Sequence, residues 1–236
     1  MTLGLDWLEQ ASRGRFTAGA DVVVSGESSV GRDVKKAIQE VGVSYTIKRS
    51  TGDLIGEYLI YDTPGSSAGM GSKSSFAKES ILEGSLAFDT VVVEGDVLEL
   101  SNGKRVLVAS KIADMFQDSV VIYETEFLKC NVVAGEVLRS SGEIWDDQTY
   151  HKQQVWESIK TGINGVLVEV SGTSLKDQNE FGLLSVTRIE AYVASGEDIR
   201  VLDRFQARSG EYYQVDVIKK TLYPAINVIE MRQDTR

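Results

Sequence analysis

From residue 43 to near the end of the chain, apolar and polar residues alternate in short runs broken by Gly, Asn and Asp. A period of two places successive side chains on opposite faces, which is the signature of half-buried strands. The runs rich in Val, Ile, Tyr and Thr predict strands at VSYTIKR (43–49), EYLIYDT (57–63), FDTVVVEG (88–95), DVLELS (96–101), RVLVASKI (105–112) and SVVIYETEFLKC (119–130). A second series follows at GEVLRSS (135–141), TYHKQQVWESI (149–159), GVLVEV (165–170), LLSVTRIEAYV (183–193), DIRVLD (198–203), EYYQVDVIKK (211–220) and AINVIEMRQ (225–233). Before residue 43 the period is helical. Val30, Val34, Ala37, Ile38 and Val41 share one face of a helix over 30–41, which Ser29 can cap and Gly42 can close. Leu5, Leu8 and Ala11 predict a short helix within 1–20, and DVVV (21–24) a short strand.

Asn102-Gly103 and Ser209-Gly210 read as hairpin turns, because these pairs accept positive φ. The two β series can be laid over one another. Gly95-Asp96-Val97-Leu98 falls on Glu197-Asp198-Ile199-Arg200, the two turns coincide, and VLV (106–108) matches YQV (213–215). The front ends agree as VSYTIKRSTG (43–52) and GEVLRSSG (135–142). The expectation is a mainly β protein: two tandem, related β-barrel or sandwich domains over 43–131 and 132–236, behind an N-terminal helical segment over 1–42. Residues 64–78 (PGSSAGMGSKSSFAK) form a Gly/Ser loop that cannot bury a core of its own, and a loop of that length inside a barrel is usually functional.

Composition narrows the chemistry. The 236 residues include one cysteine, Cys130, and one histidine, His151, so an intrachain disulfide and a Cys/His-rich zinc site are both excluded. No apolar run is long enough to span a bilayer, and no basic stretch followed by an apolar core opens the chain, so neither membrane insertion nor secretion is expected. The net charge is -10, with 13 of the 25 basic and 19 of the 35 acidic residues in the first 131. Acidity spread this evenly disfavours a phosphate-gripping protein, and it does not exclude one that DNA merely slides past.

Each candidate for catalysis is weak. DVVVSGESSVGRDVKKAI (21–38) has the strand, G-x-x-x-x-G and helix layout of a phosphate loop and resembles the Walker A loop of some AAA+ ATPases. Arg32 stands where the lysine belongs, Asp33 where Mg²⁺ needs a hydroxyl, and alternating β-α units are missing downstream. His151 lies in a strand-like run without a nucleophile elbow, so a Ser-His-Asp triad is not expected. Glu124 and Glu126 share a strand face as a wet edge does, and Asp114, Asp118, Asp146 and Asp147 do not form a calcium loop. Cys130 reads as a small apolar residue. No enzyme activity, cofactor or metal is expected. Trp7, Trp145, Trp156 and Tyr223 are candidates for an interface, where aromatics concentrate.

The pattern GDVLELSNGKRVLVASKI…DSVVIYETEFLKC, repeated as EDIRVLDRFQARSGEYYQVDVIKKTLYPAINVIEMRQ, resembles the head-completion or stopper proteins of tailed bacteriophages. Gly210-Glu211-Tyr212-Tyr213-Gln214-Val215, Tyr223-Pro224 and the last strand carry the likeness best, whereas the first copy has Val106 and Val108 where tyrosine and valine would stand. The resemblance implies a virion protein assembled in the bacterial cytoplasm. It would form a homo-oligomeric ring in the neck, between portal or adaptor proteins and tail proteins, with double-stranded DNA passing through. Its long channel loop would correspond to 64–78, with Ser66, Ser67, Met70 and Lys73 toward the DNA. Another tail part, such as a terminator or baseplate hub, and a carbohydrate- or ligand-binding β module are the alternatives.

Overall fold

The computed structural model describes residues 29–49, 52–62, 80–116, 119–147, 150–170, 188–208 and 210–234. The expected helix in 1–20, the strand at 21–24, Trp7 and the whole loop 64–78 with Ser66, Ser67, Met70 and Lys73 lie outside the described residues.

The protein is mainly β. Among the described residues one helix, α1 (Ser29–Val41), precedes β1 (Val43–Arg49), β2 (Gly52–Asp62), β3 (Ile81–Ala87), β4 (Val97–Leu100), β5 (Arg105–Phe116) and β6 (Ser119–Lys129). Then come β7 (Val132–Asp146), β8 (His151–Val170), β9 (Arg188–Ala194), β10 (Arg204–Arg208), β11 (Glu211–Tyr223) and β12 (Ile226–Gln233). All pairings are antiparallel. The first six strands close in the order β1-β2-β3-β6-β5-β4, and the second six in the order β7-β8-β9-β12-β11-β10. Position for position, these are one strand order used twice.

Each barrel has its own core. Ile47, Leu59, Leu86, Leu98, Val106, Val108 and Phe127 fill the first, and Val137, Ile163, Val193, Phe205, Val215, Ile229 and Met231 the second. These are the inward members of the alternating runs, each buried side chain contributing about 1.5–3 kcal/mol relative to exposure. Gly84 sits where a Cβ would lie 2.8 Å from the Phe127 ring and 2.4 Å from the Ile60 carbonyl oxygen. That crowding is why β3 carries Glu-Gly-Ser in mid-strand, and why its alternation is too broken to be seen in the sequence.

In α1, Val34 and Ile38 are buried and Ala37 is half-buried, as the helical face requires, but Val41 is exposed. Val41 is the last helical residue, and the helix closes just after it: Gly42 donates its N–H to the Ile38 carbonyl, and a Cβ at Gly42 would strike that oxygen. From His151 on, the runs expected at 149–159 and 165–170 form a single strand, β8.

Two expected strands are loops, and they are the same loop. FDTVVVEG (88–95) and DIRVLD (198–203) both wrap around an aspartate. Arg49 on β1 grips Asp96 with two parallel hydrogen bonds, Nε to Oδ1 at 2.7 Å and Nη2 to Oδ2 at 2.5 Å. Arg139 on β7 grips Asp203 likewise at 2.9 and 2.8 Å. The Val93 N–H donates to the Asp96 carboxylate and the Arg200 N–H to the Asp203 carboxylate. Val108 and Val215 donate to the two aspartate carbonyls. Asp96 therefore corresponds in bonding to Asp203 and not to Asp198, with which the sequence overlay pairs it. Val and Ile in these loops look like strand residues, but the Val93 and Arg200 N–H groups answer a carboxylate and not a neighbouring strand.

The residue before each aspartate has positive φ, Gly95 at 86° and Leu202 at 73°. Leucine is strained in that region by roughly 1–2 kcal/mol. Leu202→Gly is expected to raise stability by up to about 1 kcal/mol in urea unfolding. Gly95→Ala is expected to lower it by more than that, since the added Cβ would also lie 2.7 Å from the Ala225 carbonyl oxygen. Equal effects at the two sites would contradict the packing described next.

Candidate assembly surfaces

The outer faces of the barrels differ, and that difference sets which surfaces are free. A cross-strand row in the first barrel runs Val97–Leu107–Leu128–Ile81. The matching row in the second runs Arg204–Gln214–Arg232–Arg188. The apolar row is buried: Val97, Leu107, Ala109 and Leu128 pack on Val166, Val168 and Ile226 of the second barrel, forming a dry seam with Tyr192, Ala194 and Tyr223 at its margin. Asn131 staples the connection, giving its Nδ2 to the Leu167 carbonyl and accepting the Leu167 N–H at 2.7 Å. Arg105 crosses the seam to the Asn164 side-chain oxygen at 2.8 Å.

The charged row is closed differently. Arg204 donates to Asp234 at 2.6 Å and lies over the Trp156 ring at 4.3 Å and the Tyr212 ring at 5.5 Å. The planar guanidinium thus fills both of its recognition modes, carboxylate and aromatic face. Helix α1 closes the opposite end. Val34 and Ile38 sit on Ala87, Ile122 and Ile60 of the first barrel. The pair Ile122–Ala87 on β6 and β3 matches the pair Ile226–Ala194 on β12 and β9, which lies at the seam. The helix therefore takes on the first barrel the seat that the first barrel takes on the second. The pair of barrels thus has α1 at one end and Arg204, with Trp156 against it, at the other.

The seam also governs the perturbed thiol and one phenol. Burial pushes Cys130 up to about 12 against the opposing pull of Arg105. Burial and then the neighbouring Glu190 charge push Tyr192 up to about 12. Both groups hold their protons more tightly folded than unfolded. Their contribution to stability is whole below the unfolded values near 9 and 10 and is lost as pH climbs toward 12. Alkaline unfolding monitored between pH 9 and 12 should show a falling transition temperature, and Cys130 should resist thiol reagents at pH 8. Rapid labelling of Cys130 in the folded chain would disprove a closed seam.

Among the described residues no group of three or more His, Cys, Asp and Glu side chains converges. Arg32 and Asp33 are exposed on α1, and the stretch 21–28 of the phosphate-loop pattern lies outside the described residues. His151 stands opposite Asp146 in the β7–β8 ladder. Glu126 faces Glu83 across the outer wall of the first barrel, and Glu124 faces Ser85. A cleft of about 470 Å³ lies between the barrels, and its cations are matched: Arg49 with Asp96, Lys48 with Asp53 and Glu99, Lys160 with Glu197. Hydrogen bonding to Asp203 and then to Asp198 raises Arg139, so the second clasp is held as a permanent ion pair.

Apolar surface is open on two ribbons, and also on β2 at Leu54 and Ile55 and in the loops at Val91, Val93, Val201 and Leu202. Beyond Leu138, β7 pairs only with β8, and before Gly165 β8 pairs only with β7, among the described residues. Near the tip, Ile144 is 62%, Trp145 55% and Tyr150 75% exposed. The β5–β6 hairpin likewise outruns its neighbours, with Ile112, Met115 and Phe116 exposed. Of the aromatic candidates, Trp145 is on a ribbon tip, Trp156 is under Arg204 and Tyr223 is at the seam. The ribbons themselves were not legible in sequence. Their length shows only in how far β7 and β8 remain paired.

No family model matches the chain, and neither a curated protein nor a solved structure does. No helix among the described residues is long and apolar enough to cross a membrane.

Proposed function

We propose that the chain is a structural part of a tailed-phage virion. It would be a ring-forming neck protein that docks between portal or adaptor and tail, and guides or retains packaged DNA through the 64–78 loop. The observation that carries this reading is where the apolar surface lies. Apolar side chains stand open on two β ribbons, at Ile112, Met115, Phe116, Ile144 and Trp145, and also on β2 at Ile55, and no group of three or more His, Cys, Asp and Glu side chains converges among the described residues. Exposed ribbons of this kind are liabilities in a free monomer and are retained where another chain covers them. The shared strand order and the repeated Arg-Asp clasp favour treating the halves as copies of one unit. A tandem build also suits a baseplate hub, the second reading within the same class. The acidic chain suits a conduit that does not hold DNA.

The test is native mass spectrometry of the purified chain, alone and with a portal–adaptor complex. A closed ring, or a monomer that adds stoichiometrically to the connector, is the expected result. A chain that ignores the connector at every ratio would overturn the neck assignment. Tryptophan fluorescence against a glycan panel then decides the ligand-binding alternative, since an assembly role for Trp145 predicts no shift with sugars.

A further inference from the structure

We infer that α1 is a plug. It fills a seat on the first barrel that the charged end of a second copy's second barrel fits, and displacing it lets copies join head to tail. The inference goes beyond the neck reading and needs no connector to hold.

Open apolar surface on the ribbons or on β2 names no partner by itself. The seam does, because it shows how one barrel of this kind sits on another. There the row Val97–Leu107–Leu128 of the first barrel meets Val166, Val168 and Ile226 of the second. The clasp loop joins in: a Cβ on Gly95 would lie 2.7 Å from the Ala225 carbonyl oxygen. The matched strand pairings carry both sides of this contact onto the two ends of the molecule. Val97, Leu107 and Leu128 correspond to Arg204, Gln214 and Arg232 on the second barrel. Val166, Val168 and Ile226 correspond to Ile60, Asp62 and Ile122 on the first. Val228, which is buried, corresponds to Glu124, which is exposed. Where the seam sets apolar on apolar, the two ends set cations on one side and carboxylates on the other, at the same positions.

The clasp loop repeats the relation. Gly95 corresponds to Leu202, and Ala225 to Val121. Leu202 holds its left-handed φ of 73° while 64% exposed, with Val201 exposed beside it. Neither backbone strain nor solvation favours leucine there, and strain of that kind collects where a partner binds. On the seat its side chain reaches Val121, an apolar residue that α1 now covers. Arg204 is committed to Asp234 and Trp156, so the cation that turns to a partner is Arg232, which is 53% exposed and joined to an exposed Asp216 at 3.4 Å.

Helix α1 imitates this face. It sets Val34 and Ile38 against Ile60, Ala87 and Ile122, and brings one cation, Lys35, to Glu57 at 3.0 Å and Asp89 at 2.5 Å. The charged end offers the same combination, with Val201 and Leu202 as the apolar pair and Arg232 as the cation. A helix of 13 residues is marginal alone in water, so α1 depends on the seat and leaves it as one unit. Contact between unlike ends is heterologous, and its repetition gives a ring when the rotation closes.

The test opens the seat in the full chain. Val34→Asp with Ile38→Asp should lift α1, and sedimentation velocity should then show dimers and longer species at a concentration where the wild-type chain is monomeric. Lys35→Glu leaves the apolar contact in place and should shift association the same way by a smaller factor. It replaces the double variant if circular dichroism shows that the latter has lost its β structure. In the open variant Arg232→Glu should weaken association at least about tenfold, and adding Glu124→Arg should restore it. An open variant that stays monomeric, a wild-type chain as associated as the open one, or association indifferent to Arg232→Glu would each overturn the inference. The neck reading fails separately: copies that join once α1 is lifted yet ignore the portal–adaptor complex uphold the plug and remove the proposed setting.

Discussion

Arg139→Ala is expected to cost about 2–4 kcal/mol of folding stability, because it leaves the Asp203 carboxylate buried without its cation. Asp203 is only 2% exposed, and it also accepts the Arg200 N–H and ties its own carbonyl to Val215. Losing the guanidinium therefore loosens the loop, its link to β11 and the start of β10 together. Arg49→Ala should cost a similar amount through Asp96 in the first barrel. The comparison is made by urea unfolding of each variant and of the matching Arg→Lys forms. Lysine restores charge but not the paired fork, so it should recover only part of the loss. Full recovery by lysine would mean that charge alone matters and that the two-toothed geometry does not.

A larger effect is expected at the seam. Leu107 is fully buried between Val97 and Leu128 and faces Val166, Val168 and Ile226. Leu107→Asp places a carboxylate there with no cation in the apolar patch, at a cost of at least about 4 kcal/mol. The consequence is qualitative as well. Each barrel retains its own core, so the variant should melt in two transitions where the parent melts in one. Leu107→Ala, at about 2–4 kcal/mol, should weaken the coupling without parting the barrels. Differential scanning calorimetry reads both. One unsplit transition for Leu107→Asp would show that the barrels do not depend on this face.

These two variants separate what alternation reveals from what it hides. The inward residues of the strands, such as Ile47, Leu98, Val137 and Val215, are evident from their period, because a strand with one buried face cannot shift by one residue without exposing its core set. The outward residues carry the more specific message and look like noise. Leu107 and Gln214 occupy the same place in the two barrels, and only the structure shows that one meets a barrel and the other helps line a charged cap. The loops around Asp96 and Asp203 were hidden for another reason. Their Val and Ile residues have strand propensity, yet a long-range arginine supplies the bonding partner, and propensity contains no information about a residue placed far along the chain.

The candidate surfaces divide in the same way. Trp145, Trp156 and Tyr223 are equivalent as aromatic positions in a list of residues. In the fold they lie on a ribbon tip, beneath a guanidinium and at a seam, and only the first is open. Local pattern was enough to establish a β protein in two series, a helix closing at Gly42, the turns at Asn102-Gly103 and Ser209-Gly210, and the lack of cysteine and histidine needed for disulfide or zinc chemistry, because these depend on neighbours in sequence. Tertiary structure alone decided barrel closure, the seats of α1 and the seam, the Arg-Asp clasps and the reach of the ribbons. Each of these depends on which distant residues meet, and long-range pairing is a property of the folded chain as a whole.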